Sequence, residues 1–264
     1  MLNILKRELS LRKNSLMVFM FLILFLAILD TSIYPSIQTQ AAKLISSLGS
    51  VYKDVGVEGR VSFSSLEGYI SLEMFAVTWP IIMTLFTTSQ SGASLAGEIE
   101  KGSLGMLISQ PLGRAKIYLV KYLFGLTAII AFIIATIVPI IMIGSLMNMP
   151  FQVSHFLTMA ILCFLLAATV FSLGLMLSAI FNQKSRQYGI VGAAMLIMYV
   201  INAVAGLKPT FSFLQYGSLF HYFNVSSALS ANHIPVMSWV VFIALSVVGT
   251  LIGSMVFNKR DISI

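Results

Sequence analysis

Long apolar stretches recur along the chain and are separated by short polar segments. A helix needs about 20 apolar residues to cross the hydrocarbon of a bilayer. Stretches of this kind predict six membrane spans, at residues 16–33, 69–88, 122–147, 156–181, 188–207 and 236–257. The pattern therefore predicts an all-α integral membrane protein with a single transmembrane domain over residues 1–264, and a kink at Pro139 in the third span.

Two amphipathic segments flank the first span. Residues Leu2–Leu11 place leucines among charged side chains, which predicts an interfacial helix on the inner leaflet, with a solvated basic anchor as the alternative. Residues Ser36–Asp54 repeat apolar positions at helical spacing and predict an amphipathic external helix. The basic start would also fit a secretory signal, but the apolar run is long and no small-residue cleavage pattern follows Leu29.

Aromatic residues are concentrated between the fifth and sixth spans. Six of them fall within residues 211–223, and aromatic rings favour the membrane interface. The run is too short to cross the bilayer. We therefore expect a re-entrant or interfacial hairpin on the outer side over Thr210–His233, or simply an aromatic belt.

Composition supports the membrane assignment. Of the 264 residues, 58% are hydrophobic and 9% are charged, whereas a soluble domain carries about 25% charged residues. The mean hydropathy is +0.95. Cys163 is the single cysteine, so the sequence offers neither a disulfide nor a cysteine metal site.

The basic residues predict the orientation in the membrane. With both termini in the cytoplasm, twelve of the sixteen Lys and Arg residues lie in cytoplasmic segments, as the positive-inside rule requires. The four on the outer side are Lys43, Lys53, Arg60 and Lys208. The basic residues also fit contact with anionic lipid, and they give no reason to expect nucleic acid. We expect a multi-pass protein of the cell membrane.

Motifs for catalysis and metal binding are missing from the sequence. Gly97 and Gly102 have the glycine spacing of a phosphate loop, but Ser103 follows where that motif requires lysine. The three histidines fall in different loops without metal-ligand spacing. We therefore expect no catalytic residue, no metal and no cofactor in this chain.

Two acids lie inside the predicted spans. Asp30 is near the outer end of the first span, and Glu73 is a short way into the second. An acid within a span is a functional candidate by default, so both are candidates for a translocation path. Both are also close enough to the outer boundary to be hydrated, and a secondary transporter usually has more polar residues at the midplane.

The inner loop at residues 89–116 is longer than the other inner loops. Charged residues at Glu98, Glu100 and Lys101 precede an aliphatic cluster, and Pro111 ends the helical pattern. Such a segment predicts a short amphipathic helix that docks into a groove on a partner. A helix resting on the lipid surface is the alternative.

The same loop resembles the membrane subunits of type-2 ATP-binding-cassette (ABC) exporters. Residues 98–121 read E-x-E-K-G-S-L-x-x-L-I-S-x-P-x-x-R-x-x-I-x-x-x-K, which is similar to the family's stretch between its second and third spans. The run Phe220–Phe223 and the closing residues 257–261 also look like the family. Gly105 departs from it, because many relatives have an acid there.

The resemblance implies a half-transporter. A pair of permeases, identical or related, would stand above a pair of separate ABC ATPase subunits, which bind ATP and magnesium. The resemblance makes the inner loop a coupling helix that grips a cleft in the ATPase, often helped by the amino-terminal helix. The residues that carry this assignment are Glu98, Glu100, Lys101, Gly102, Ser103, Leu104, Leu107, Ile108, Pro111 and Arg114.

No motif selects the cargo. An apolar interior rich in Met and Phe favours a hydrophobic or amphipathic peptide or antibiotic over a polysaccharide. Lipid or ion cargo within the same family is an alternative. Two rivals come from other classes: an ion-coupled secondary transporter, in which Glu73 or Asp30 would be indispensable, and an intramembrane enzyme, for which the sequence offers no convincing constellation.

Overall fold

The protein folds as a bundle of helices. The computed structural model describes residues 2–54, 65–102, 113–207 and 209–260, with side chains at 7–40, 65–102, 113–205 and 213–260. This part of the chain contains no strand. Its elements are α1 (Leu2–Asp54), α2 (Leu66–Ile70), a π-helix (Ser71–Thr78), α3 (Trp79–Ser94), α4 (Ala96–Glu100), α5 (Arg114–Leu146), α6 (Val153–Ile180), α7 (Lys184–Leu207), a 3-10 helix (Pro209–Gly217), α8 (Leu219–Tyr222), α9 (Val225–Ala231) and α10 (Val236–Lys259).

The six predicted spans are confirmed as helices long and apolar enough to cross a membrane. They are longer than the apolar runs alone indicated, because polar and charged residues extend the helices at their ends. Within the described residues they run over Arg7–Gln40, Leu66–Ser94, Arg114–Leu146, Val153–Ile180, Lys184–Ala205 and Val236–Lys259. The helix α5 continues through Pro139.

The helix α1 joins three segments that the sequence analysis separated. The predicted interfacial helix at Leu2–Leu11, the first span and the predicted external helix at Ser36–Asp54 are one continuous helix of 53 residues. The helical periodicity at both ends was read correctly. Apolar periodicity does not say whether two amphipathic segments are separate elements or extensions of the span between them.

The amino-terminal turns of α1 are oriented differently from the expectation. Glu8 and Arg12 are buried, while Leu9 and Leu11 are exposed. The charged side chains therefore lie inside the bundle and the leucines point outward. Both charged residues have partners within the bundle, so Glu8 and Arg12 are not solvated. The location of residues 2–11 at the inner interface stays a prediction.

The helix α6 lies at the centre of the bundle. It packs against α3, α5, α7, α9 and α10, and 67% of its most apolar stretch is buried, against 17% for α7. The contact with α10 is close, because a Cβ at Gly253 would lie 3.0 Å from the Cα of Met176 and one at Gly249 would lie 3.3 Å from the carbonyl carbon of Ser172. These glycines permit the approach of two helices within one chain.

The two ends of the bundle differ in their side chains. At one end, which we call the basic end, Lys121 of α5 contacts acids of α1 and α4, and Arg260 donates to the carbonyl of Ala179 at 2.7 Å. At the opposite end, the far end, the backbone N–H of Gln152 donates to Glu67 at 2.8 Å. Successive spans of the described chain thus run in opposite directions between two ends that differ in chemistry.

The aromatic-rich segment folds at the far end as short helices: the 3-10 helix, α8 and α9. Its rings divide into two groups. Phe220 and Phe223 are buried, and Phe223 stacks on Trp79 with ring centroids 5.7 Å apart. Phe213 and Tyr216 are exposed. The segment is therefore partly a component of the core.

Candidate functional site

Four charged side chains meet inside the bundle at the basic end. Glu8 and Arg12 come from α1, Glu98 from α4 and Lys121 from α5; their exposed fractions are 1%, 4%, 4% and 0%. We call this group the ionic cluster. Two acids balance two bases, so the cluster has no formal net charge.

Lys121 is the centre of the ionic cluster. Its ammonium forms ion pairs with both Glu8 and Glu98, the latter at 2.9 Å between Nζ and Oε1. It also donates to the backbone carbonyl of Ser94, the last residue of α3, at 2.9 Å. An ammonium has three protons to donate, and each has an acceptor here. One side chain therefore links α1, α3, α4 and α5.

Arg12 completes the ionic cluster on the side of α1. It pairs with Glu8, which lies one helical turn earlier, and donates to the carbonyl of Gln90 at 2.9 Å. The guanidinium carbon lies 5.3 Å from the centroid of the Phe124 ring, a distance at which a cation is attracted by the ring.

The pairing makes the burial of these charges tolerable. An isolated buried charge is very costly, whereas partners that satisfy its hydrogen bonds recover much of that cost. Glu98 lies just beyond the second span, and its burial raises the pKa of its carboxyl, with Lys121 opposing that rise. Removing one member would leave another charge buried without its partner.

The chain directs Glu98 into the bundle through a break between α3 and α4. The helix α3 ends at Ser94, and α4 restarts at Ala96. The backbone N–H of Ala96 donates to the hydroxyl of Ser178 at 2.8 Å, which fixes the start of α4 to α6. The direction of α4 is thus set by a hydrogen bond to the central helix.

Close packing holds α3 against α7 next to this break. A Cβ at Gly92 would lie 2.3 Å from side-chain atoms of both Gln187 and Tyr188, so any larger residue there would require these side chains to move. The amide of Gln187 donates to Ser91 at 3.0 Å and to the carbonyl of Gly174 at 3.3 Å. This polar contact joins α3, α6 and α7 at the level of the ionic cluster.

Other predicted coupling residues lie around α4. The carboxylate of Glu100 accepts from the backbone N–H of Lys184 at 3.0 Å, and a carboxylate at the first residue of a helix is favoured by the exposed N–H groups there. Lys101 is exposed, and Gly102 has φ +67°, a left-handed conformation that ends the helix. Arg114 donates to the carbonyl of Arg260 at 2.5 Å.

The structure describes five of the ten predicted coupling residues, and the coupling role of all ten stays a prediction. Ser103, Leu104, Leu107, Ile108 and Pro111 lie outside the described residues, so the coupling helix itself stays a prediction.

Sequence reasoning missed Glu8, Arg12 and Lys121 as site residues. Signals were present: Glu8 and Arg12 have the spacing of a helical ion pair, and Lys121 is a basic residue at the edge of a span. What the sequence did not give was the pairing across helices. Glu98 was expected on the surface of a docking helix, yet its side chain is buried against Lys121.

The acids predicted for a translocation path have different surroundings. Asp30 is half-buried and Glu73 is exposed, and the two lie within electrostatic range of each other. Among the side chains that the structure describes, neither acid forms an ion pair with a base. Their role in transport stays a prediction.

Comparison with known proteins gives the family. A search among curated proteins found no match. A family model described as "ABC-2 family transporter protein" matches residues 2–262, nearly the whole chain. Members of this family are the membrane subunits of transporters, and membership implies partnership with an ABC ATPase. The chain therefore belongs to the ABC-2 family and is a multi-pass membrane subunit of a transporter.

Proposed function

We propose that this chain is the permease of an ATP-driven exporter in the cell membrane. The observation that carries the proposal is the position of Glu98, which belongs to the motif that resembles a coupling helix and whose side chain binds Lys121 inside the bundle. This ion pair connects the start of the loop that resembles a coupling helix to the membrane spans. The partner ATPase binds ATP and magnesium and hydrolyses the ATP.

The contacts of α4 support a mechanism of coupling. Glu98 binds Lys121 of α5, which also binds Glu8 of α1. Ala96 is bonded to α6 and Glu100 to α7. A displacement of α4 by the closing ATPase would therefore be passed to α1, α5, α6 and α7 together. We propose that this joint movement changes the opening of a path between two permeases.

The arrangement of basic residues supports an orientation with both termini in the cytoplasm. Arg12, Lys121, Lys184 and Arg260 all contribute contacts at the basic end, and basic residues favour the cytoplasmic side. In a Cys163→Ser background, an impermeant maleimide applied to intact cells should label a cysteine at Asn232 and spare one at Ser185. Protection of the first or labelling of the second would reverse the orientation.

For the cargo, we propose a hydrophobic or amphipathic peptide or antibiotic. The apolar interior of the bundle supports this class. Asp30 and Glu73 are the observation that favours the second candidate, an ion-coupled carrier, because two acids of the spans lie within electrostatic range of each other. The two candidates differ in energy source: export should require ATP in the first and an ion gradient in the second.

The assembly is the direct test of the proposal. The chain should copurify in mild detergent with an ABC ATPase, and native mass spectrometry should find a pair of permeases with a pair of ATPases. A lone permease with full transport activity would contradict the proposal. Dependence of transport on an ion gradient without ATP would support the carrier instead.

A further inference from the structure

Two adjoining cavities lie along α7, one between α3 and α7 and the other between the π-helix, α7 and the segment that follows α7. The first has a volume of about 300 Å³ and is lined mainly by apolar side chains of both helices, including Ile81, Leu85, Met195 and Leu196. The second has a volume of about 360 Å³. Because it reaches the π-helix and the segment after α7, it lies closer to the far end. We call them the apolar cavity and the polar cavity.

The polar cavity contains hydrogen-bonding side chains without formal charge. Asn202, Gln215, His221 and Asn224 line it, together with aromatic and aliphatic residues. None of the residues that line either cavity is Asp, Glu, Lys or Arg. A charged group bound here would lack a partner of opposite charge and would be costly to desolvate. An amide or hydroxyl group would find both donors and acceptors.

Tyr199 and Phe220 line both cavities and form their common wall. The two rings meet edge to face with centroids 5.3 Å apart. The hydroxyl of Tyr199 donates to the carbonyl of Ala76, within the π-helix, at 3.3 Å. A π-helix is rare and is frequently found at functional sites, and this one borders the polar cavity through Phe75 and Ala76.

The apolar cavity opens on the outside of the bundle, within the second and fifth spans. Ile81, Leu85 and Leu196 line it and are exposed on the outside of the bundle. The wall from Gly192 to Tyr199 spans eight residues of α7, and the seven steps between them cover about 10 Å of helix. A medium-length alkyl chain that enters from the bilayer would fit along this wall.

A third cavity gives an internal comparison. It lies between α5 and α6, has a volume of about 320 Å³, and is lined only by apolar side chains, among them Ile133, Ala160 and Phe164. A lipid tail alone would be sufficient to fill an apolar groove of this kind. The α3–α7 pair differs because its apolar cavity adjoins a polar one.

We propose that the two adjoining cavities form one binding site for a single-chain amphiphile with an uncharged, hydrogen-bonding head. The alkyl chain lies in the apolar cavity, and the head lies in the polar cavity beyond Tyr199 and Phe220. As a substrate site it rests on the proposed export function and narrows the class of cargo. As a binding site it depends only on the geometry of the cavities.

Photolabelling tests the site. The complex of the full chain with its ATPase is placed in nanodiscs without nucleotide. It is labelled with a monodecanoyl glycerol analogue that carries a diazirine in its alkyl chain, and labelled peptides are found by mass spectrometry. The label should fall on residues 80–85 and 192–199. Analogues with the same chain and a sulfate or trimethylammonium head should label these peptides about fivefold less.

Two glycines of α7 provide a matched pair of variants. A Cβ at either Gly192 or Gly189 would meet nothing within 4 Å, so both accept a larger side chain. Only Gly192 lines the apolar cavity. Gly192→Leu should therefore reduce labelling about fivefold, whereas Gly189→Leu should leave it unchanged. Ala160→Trp, which fills the third cavity, should also leave labelling of residues 80–85 and 192–199 unchanged.

The outcomes separate this proposal from the proposed function. Equal labelling with all three head groups, or equal effects of Gly192→Leu and Gly189→Leu, would show only contact with surrounding lipid and would overturn the binding site. The complex with the ATPase would then still stand. Labelling that follows the expected pattern, without ATP-driven release of the analogue from proteoliposomes, would support the binding site and remove the amphiphile as cargo.

Discussion

Acidic residues occur toward both ends of the helix bundle, but in opposite surroundings. At the basic end, Glu8 and Glu98 are at most 4% exposed and share Lys121. Toward the far end, Asp30 is half-buried and Glu73 is exposed, and no described side chain pairs with them. Of these four acids, the two that are paired with a base across helices are the buried ones, whereas the buried Glu67 at the far end accepts a hydrogen bond from the backbone N–H of Gln152.

This difference fits separate roles for the two ends of the bundle. The basic end is a joint in which ionic and hydrogen bonds connect α4 to four spans, which suits the transmission of force. The far half has cavities lined by neutral polar and apolar side chains, which suits the binding of an amphiphile. Substitutions that remove a charge should therefore matter far more at the basic end.

The largest effect is expected from Lys121→Met. It removes the ammonium that pairs with both Glu98 and Glu8, and breaking a buried ion pair costs about 3–5 kcal/mol. The variant should show strongly reduced membrane abundance and a lower midpoint of thermal unfolding. Lys116→Met is the matched control, because Lys116 lies on the same helix and is exposed. Equal effects of the two substitutions would remove the distinction between buried and exposed charge.

A large effect on assembly is expected from Leu104→Asp and Leu107→Asp. Both residues belong to the predicted coupling helix and lie outside the described residues. A charge placed in an apolar contact with the ATPase should cost several kcal/mol of docking, so copurification of the ATPase should fall by a factor of about ten or more. Membrane abundance should stay normal, since the spans are untouched.

The isosteric control for this prediction is Leu104→Met. It keeps an apolar side chain and should copurify the ATPase as the unsubstituted protein does. Normal copurification of the aspartate variants would mean that the loop rests on the membrane and that the coupling assignment is wrong.

The smallest effect is expected from Asp30→Asn and Glu73→Gln. Exposed and half-exposed charges contribute at most about 1 kcal/mol, and ATP-driven export should change by a factor of about two or less. Transport assays in proteoliposomes with and without an ion gradient measure this. Loss of transport in either variant, together with dependence on a sodium or proton gradient, would favour the ion-coupled carrier. The acids toward the far end would then be the site at which the ion gradient drives transport.

The sequence was sufficient to predict the six spans but not the ionic cluster that connects the helices at the basic end. Long apolar runs identify spans by length alone, and the six helices follow from them. The pair Glu8–Lys121 joins residues 113 positions apart, and periodicity within one helix carries no information on such a pair. The same limit explains α1, where an amphipathic pattern did not tell which face meets the bundle.

The cavities were also beyond sequence reasoning. Their common wall depends on Tyr199 and Phe220 meeting across two elements. It also depends on the π-helix over Ser71–Thr78, which no recognisable motif marks in the sequence. Gly102 was named from the sequence only for its place in the motif; its left-handed conformation, which ends α4, was not predicted.

The central claim is that the ionic cluster passes the movement of the ATPase to the spans. The decisive variant is the double substitution Glu98→Gln with Lys121→Met. It removes both charges of one ion pair and keeps the pair between Glu8 and Arg12. It should therefore restore most of the membrane abundance that Lys121→Met alone loses. A cysteine at Asn202, in a Cys163→Ser background, reports on the polar cavity through its rate of maleimide labelling. With the cluster intact, trapping the ATPase with ATP and vanadate should change this rate; with the double substitution, the ATPase should still copurify but the change should be about fivefold smaller. An undiminished change in the double variant would contradict the account.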